Sequence, residues 1–397
     1  MIVTHGDCAS RRLSMPATDS ASHRPIGSQN NRRFPGMTTR DRLLTVFGGG
    51  QPDRLPNVEF GYWDETLARW RTEGLPANVD SDASAERHFK LEGITIFTEV
   101  PVINGLHPRF PRIVLEESDD RSIIRDEEGN ICEVLSEHSS MPRYVKFGLQ
   151  NREDWERLKQ ERLDPDAPGR IGDLRQALVS ARESGMPLFV HAGSLYGWLR
   201  NWMGVEAFSI ALMTDREWVE EMMEHLTLLT LTLLERVLSA VPLDICWWWE
   251  DMCYNRGPLM SPRLFRELMV PRYKRITGLL RKHGVTTNVL DCDGSIHQLA
   301  PYWLEAGINC MFPLEVAHTD AAQLRTEFGS RLLLLGGVDK RALIAGKEGI
   351  DREIERLLPL VRQGRYIPCV DHRVPADVSL ENYVYYLKKK EALLTEK

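Results

Sequence analysis

The chain has 397 residues, with 57 acidic against 50 Lys and Arg side chains and a net charge of −7. That balance gives no basic footprint for nucleic acid and no attraction to an anionic membrane surface. Seven cysteines, an odd number with no C-x-x-C pair, argue against a disulfide framework and for a reducing, cytoplasmic setting; no apolar run reaches the roughly 18 residues of a membrane-spanning helix.

Residues 1–36 are rich in Ser, Arg, Asn and Pro and lack an apolar period. Such a segment buries too little surface to offset its ordering entropy. It is expected to be a disordered leader, or an upstream start to a protein that begins at Met37, with a transit-type peptide as the alternative. From Met37 to the end the pattern predicts one globular unit, 37–397. The spacing predicts a capped helix over 38–47, a first strand over 58–63, a helix over 83–91 and a strand over 95–100. Residues 113–144 alternate in short patches broken by Asp119-Asp120 and Glu128-Gly129-Asn130, the signature of antiparallel hairpins inserted into a larger fold.

After Asn151 helices and strands alternate. Strands are expected over 187–191, 243–249, 286–290, 308–313, 332–336 and 366–370. The intervening helices cover 172–184, 206–213, 216–241, 261–283, 296–306, 321–328 and 351–362, and a last helix covers 380–394. Repeated strand–helix units close to eight in number predict an α/β fold, a (β/α)8 TIM barrel with a small β-hairpin insertion. No G-x-G-x-x-G or G-x-x-x-x-G-K-[ST] loop supports an open nucleotide-binding sheet.

In such a barrel the chemistry sits where strands end. Six consecutive predicted strands end near ionisable residues: His191 with Tyr196 and Arg200; Glu250 and Asp251 with Tyr254 and Arg256; Asp291 and Asp293; Glu315; Asp339 with Lys340; and Asp371 with His372. We take His191, Glu250, Asp251, Asp339 and Asp371 as candidate acid–base groups, and Tyr196, Arg200, Trp249, Tyr254 and Arg256 as candidate substrate contacts. Asp251, Asp293 and Asp339 have a plainer reading as helix caps. Trp247-Trp248-Trp249 must face both sides of one strand, so some of these rings are core and one is free to stack on a planar ligand. Asp291, Asp293, Glu315 and His372 supply an N/O donor set suited to a divalent cation such as Zn²⁺, Fe²⁺ or Mn²⁺. No H-E-x-x-H or G-x-S-x-G motif occurs.

The segments MTTRDRLLTVFGGGQPDRLP (37–56), GPLMSPRLFRELMVP (257–271), NVLDCDG (288–294), GINCMFPLE (307–315), GGVD (336–339) and GRYIPCVDHRVP (364–375) resemble, in order, the uroporphyrinogen decarboxylase superfamily. The resemblance covers nearly all of the chain after Met37. It implies a TIM barrel with its site at the C-terminal mouth, and one of two activities: cofactor-free decarboxylation of uroporphyrinogen, or methyl transfer to or from a corrinoid with Zn²⁺ activating the substrate. The decarboxylase's P-x-W-x-M-R-Q-A-G-R segment reads VEFGYWDETLAR here (58–69), without the arginine pair. The methyltransferases' H-x-C-G reads Asp291-Cys292-Asp293-Gly294, and their second cysteine falls near His372. The resemblance is thus closer to the methyltransferase branch. It implies a small-molecule substrate, a divalent metal such as Zn on Asp291, Asp293, Glu315 and His372, and a corrinoid carried by a partner protein. A homodimer is a further expectation. The alternatives are uroporphyrinogen decarboxylation in tetrapyrrole biosynthesis, and a non-catalytic barrel that binds a ligand or a corrinoid protein.

Overall fold

A computed structural model describes residues 36–94, 97–135 and 142–396. The expected leader lies outside these residues, apart from Gly36, as do residues 95–96 of the expected second strand.

Among the described residues thirteen strands are formed. They are β1 (Thr98–Glu99), β2 (Ile113–Glu117), β3 (Arg121–Arg125), β4 (Ile131–Leu135), β5 (Arg143–Lys146), β6 (Leu188–Gly193), β7 (Ile245–Trp249), β8 (Cys253–Tyr254), β9 (Gly257–Pro258), β10 (Thr287–Asp291), β11 (Cys310–Phe312), β12 (Leu333–Leu335) and β13 (Tyr366–Ile367). Seven of them make one parallel sheet in the order β1-β6-β7-β10-β11-β12-β13. That order is also chain order, so each connection from β6 onward crosses over through helix, as parallel neighbours require. β7, β11, β12 and β13 are apolar and buried throughout, which is the pattern of a sheet covered on both faces.

The expected strand over 58–63 is not a regular strand. Tyr62 makes a single parallel bridge to Val374, and Val374 N–H donates to Gly61 O at 2.9 Å. On the other side Glu92 N–H donates to Asn57 O at 2.7 Å. The segment thus bonds to chain beside both edges of the curled sheet. Gly61 explains the irregularity: its φ is +114°, a conformation open to glycine and incompatible with continuous pleating. A side chain there would also meet Asp82 and Arg373 at about 3 Å.

Strands β2, β3, β4 and β5 form a separate four-stranded antiparallel sheet in that order, where the sequence predicted hairpins. Ile124 and Cys132 are its buried residues, while every residue of β2 is exposed.

The helices follow their caps. Thr38 accepts from Asp41 N–H and Asp41 reciprocates, a capping box that starts the helix Thr39–Gly48. Ser261 caps Pro262–Leu268, and Ser379 caps Leu380–Leu394. The single helix expected over 261–283 is two, Pro262–Leu268 and Val270–Lys282, divided at Met269 with Pro271 in the first turn of the second. No helix among the described residues is long and apolar enough to cross a membrane.

Candidate active site at the strand C-terminal ends

Register fixes which side chains share the inner face of the sheet. Trp247 lies opposite Val289, Trp249 opposite Asp291, and Asp291 opposite Phe312. Trp248, between two inward residues, points to the helices: its Nε1–H donates to Asn288 Oδ1 at 3.2 Å and its ring meets Tyr273 edge-on. Trp247 and Trp249 are therefore the inward rings and Trp248 is core, the division that strand alternation demands. Trp63, His372, Phe60, Phe312, Trp247, Phe189 and His191 form a continuous run of ring contacts with centroid separations of 4.5–6.2 Å. Phe60 and Trp63 come from the irregular segment 57–63.

Acids stand above this aromatic floor. Asp291 closes β10, is half-buried, and makes no side-chain hydrogen bond or ion pair among the described residues. Burial, reinforced by the charges of Asp293 and Asp251, pushes its carboxyl well above the usual carboxylate range. His372 Nε2 lies 3.5 Å from Asp293 Oδ2, and the Trp63 ring stacks on the imidazole at 5.6 Å. Burial pulls the imidazole pKa down, but the hydrogen bond and charge of Asp293 outweigh it, so the net shift is upward. Glu315 Oε1 holds Lys340 Nζ at 3.2 Å, and its other oxygen accepts from Gly294 N–H. Asp371 is almost wholly buried and accepts from Val316 N–H at 2.8 Å and Lys340 N–H at 3.1 Å. Burial, only partly offset by Lys340 and those amides, raises its carboxyl to about 6.

Two other predicted acids are tied into the scaffold. Glu250 is fully buried. Its oxygens accept from the backbone N–H groups of Leu195, Tyr196 and Gly197 and from the hydroxyls of Ser194 and Tyr273, at 2.7–3.1 Å. It anchors the loop after β6 and the start of the helix Gly197–Met203, where its charge faces the positive end of the helix. Asp339 caps the helix Lys340–Ile344 and pairs with Arg341 at 2.8 Å. Burial alone would raise its carboxyl, but Arg341 and the cap bonds hold it below the usual range.

Asp251 binds Arg200 at 3.0 Å, with the guanidinium 5.3 Å from the Trp249 ring centroid. Its backbone has φ +40°, a left-handed conformation that costs a non-glycine residue roughly 1–3 kcal/mol and clusters at functional sites. Tyr196 is fully buried against Phe208, and its hydroxyl has no hydrogen-bond partner among the described residues. Tyr254 and Arg256 lie on the β8–β9 hairpin, Arg256 at its exposed tip without an ion pair among the described residues. His191 sits deeper, its ring 5.6 Å from Phe189.

The structure thus brings Asp291, Asp293, His372, Glu315 and Asp371 to one rim. It does not arrange Asp291, Asp293, Glu315 and His372 as a ligand set: among the described residues no group of three His, Cys, Asp or Glu side chains is placed to hold a metal ion. Asp293 and His372 are turned on each other, and Glu315 is neutralised by Lys340, so the donor groups do not fit a divalent cation in this arrangement. Three residues were not singled out from the sequence: Phe60, Trp63, and Glu99, which shares register with inward Phe189 on β6.

A search of solved structures finds a methyltransferase from Methanosarcina mazei at TM-score 0.59 and 15% identity, covering 90% of this chain and 99% of that one. It also finds a B12-independent methionine synthase from Shewanella sp. W3-18-1 in complex with selenomethionine, at TM-score 0.39 and 11% identity, covering 56% of this chain and 65% of that one. No curated protein sequence matches. The first likeness extends the curled-sheet architecture to nearly the whole chain. The motifs at the strand ends agree with a family model, described as uroporphyrinogen decarboxylase (URO-D), that matches residues 132–389, and the chain belongs to that family.

Proposed function

We propose that this chain is a methyl-transfer enzyme acting on a small neutral or cationic methyl donor, with a corrinoid protein as its partner, on a barrel whose seam is closed by residues 57–63. The observation that carries this reading is the charge economy of the mouth. Lys340 is held by Glu315, Arg200 by Asp251, and Arg373 by Asp82, while Asp291 is a half-buried carboxyl without a counter-ion. A uroporphyrinogen, with its many carboxylates, needs several uncommitted cations; Arg256 is the rim cation that offers itself. A neutral or cationic donor suits the aromatic floor and the acids.

A corrinoid on the partner would supply the cobalt that accepts or returns the methyl group. This chain's part is to bind and protonate. On a neutral donor, Asp291, kept in its acid form by burial and neighbouring charge, delivers a proton to the heteroatom as its bond to the methyl carbon breaks; the methyl leaves without that bond's electron pair, which stays on the heteroatom, whereas a cationic donor departs as a neutral amine and needs no proton. The His372–Asp293 pair lies beside it and re-protonates Asp291 from solvent. Phe60, Phe312 and Trp247 exclude water from the reacting carbon. No step is assigned to a metal ion.

The test is to mix the purified chain with cob(I)alamin and a panel of methoxy and methylammonium compounds and follow the conversion to methylcobalamin by its absorbance. Donor-dependent conversion is expected, and with the methoxy donors it should be lost in Asp291→Asn. Absence of conversion, with coproporphyrinogen formed from uroporphyrinogen instead, selects the decarboxylase reading and overturns this one.

A further inference from the structure

At the opposite end of the sheet from the acids lies a cavity of about 490 Å³, within the size range of small-ligand sites. It opens between the helix Val270–Lys282, the helix Ala300–Glu305 and the amino-terminal ends of β10 and β11. Val285, Leu304 and Phe328 give it an apolar wall; Arg281, Arg331 and Thr286 line its rim.

Its polar groups are distributed one-sidedly. The acceptors are already occupied. Asn288 Oδ1 receives Trp248 Nε1–H, Asn309 Oδ1 receives Asn288 N–H, and Glu305 is bound by Lys274 at 2.8 Å and Arg266 at 3.4 Å. The donors are not. Arg281, Arg331 and the Thr286 hydroxyl make no side-chain hydrogen bond or ion pair among the described residues. On the two helices Pro262–Leu268 and Val270–Lys282, Arg263, Arg266, Arg272, Lys274 and Arg275 are each paired with glutamate. In a chain with more acids than bases, two uncommitted guanidinium groups at one cavity stand apart from their neighbours. Gly307 makes room for one of them: with φ +87°, a side chain there would come within 3.3 Å of Arg281 Nη2 and 2.9 Å of Thr277 Oγ1.

We propose that this cavity is a second ligand site, separate from the mouth, that takes a small organic anion: a carboxylate or phosphate head bound by Arg281 and Arg331, with an apolar body against Val285, Leu304 and Phe328. Guanidinium pairs suit both heads because their donors match the planar or tetrahedral oxyanion. The site is not part of the methyl-transfer reading and does not depend on it.

The experiment titrates the full chain with phenyl phosphate and with benzoate by calorimetry, and with benzyl alcohol as the neutral control. Saturable binding of at least one anion at one site per chain is expected, with none for benzyl alcohol. Affinity should fall at least tenfold in Arg281→Gln/Arg331→Gln and remain within twofold in Arg256→Gln. Both arginines are exposed, so the double variant should fold, and an unchanged melting temperature checks that it does. Should it not fold, the single variants Arg281→Gln and Arg331→Gln, each expected to weaken binding severalfold, carry the same test. The proposal is overturned if neither anion saturates, if the arginine variants bind as the parent does, or if Arg256→Gln alone abolishes binding, which would place the anion at the mouth.

Discussion

Carboxylates of similar sequence setting do opposite work at this rim, and the difference lies in their partners. Glu250 has five donors; removing its charge leaves buried N–H and O–H groups facing an amide that can satisfy only some of them, at roughly 1–3 kcal/mol for each unsatisfied group. Glu250→Gln should therefore lower the melting temperature by several degrees. Asp291 has no such donors, so Asp291→Asn should leave stability unchanged or slightly raised while methyl transfer falls on the order of 10²–10⁴-fold. Thermal unfolding and turnover measured on both variants separate the roles, and equal stability loss in the two would contradict the assignment. Asp371 gives a pH signature. An aspartate normally titrates near 3.9, whereas burial lifts this one to about 6. Between those values the folded chain holds a proton that the unfolded chain has lost, so stability from this group falls as pH rises from about 4 to about 6, by about 3 kcal/mol in all, and is flat above. Urea unfolding across that window should show the decline in the parent and its loss in Asp371→Asn.

Element boundaries were legible where a cap or a breaker marks them. Thr38, Ser261 and Ser379 each start a helix where the sequence places one, because capping is local chemistry between residues three apart. The rim acids were legible for the same reason: each lies within a few residues of an apolar run. Phe60, Trp63 and Glu59 were not, because what defines them is distant in the chain. Glu59 is fully buried, accepts from Lys390 Nζ at 2.5 Å and Tyr386 at 2.7 Å, and receives Val370 N–H at 3.0 Å. It ties the segment 57–63, the end of β13 and the last helix into one knot, and so sets where His372 meets Trp63. Nothing in residues 58–63 announces a partner 331 positions away. Removing one member of a buried ion pair costs about 3–5 kcal/mol, because the other charge is stranded. Lys390→Met alone should be destabilising by that amount, and the double variant Glu59→Gln/Lys390→Met should recover much of it. A double-mutant cycle in urea measures the coupling; additive losses would show that the pair does not act as a unit.

At the scale of the whole molecule, the regular parallel sheet holds seven strands among the described residues, and the irregular segment 57–63 bonds to chain beside both of its edges. That segment is held by side chains more than by a ladder. Lys390 holds Glu59, Tyr383 donates or accepts at the Tyr62 hydroxyl at 2.6 Å, and Trp70 Nε1–H reaches Val378 O at 2.8 Å. Tyr383, Tyr386 and Lys390 all belong to the helix Leu380–Leu394 and are fully buried, so this helix acts as a strap over the seam. The seam carries Phe60 and Trp63, and through them the His372 side of the site. Ending the chain after Ser379 strands Glu59 and the Tyr62 hydroxyl and opens a large apolar surface; the shortened protein should lose cooperative unfolding and expose the seam. Amide hydrogen exchange tests the order of events in the intact chain. Residues 57–63 and the strap helix should exchange together and ahead of β7 and β10, which are paired to a strand on each side. Exchange of the seam as slowly as β7 would mean that closure is as strong as the sheet itself, and that the site's aromatic wall is fixed by backbone pairing after all.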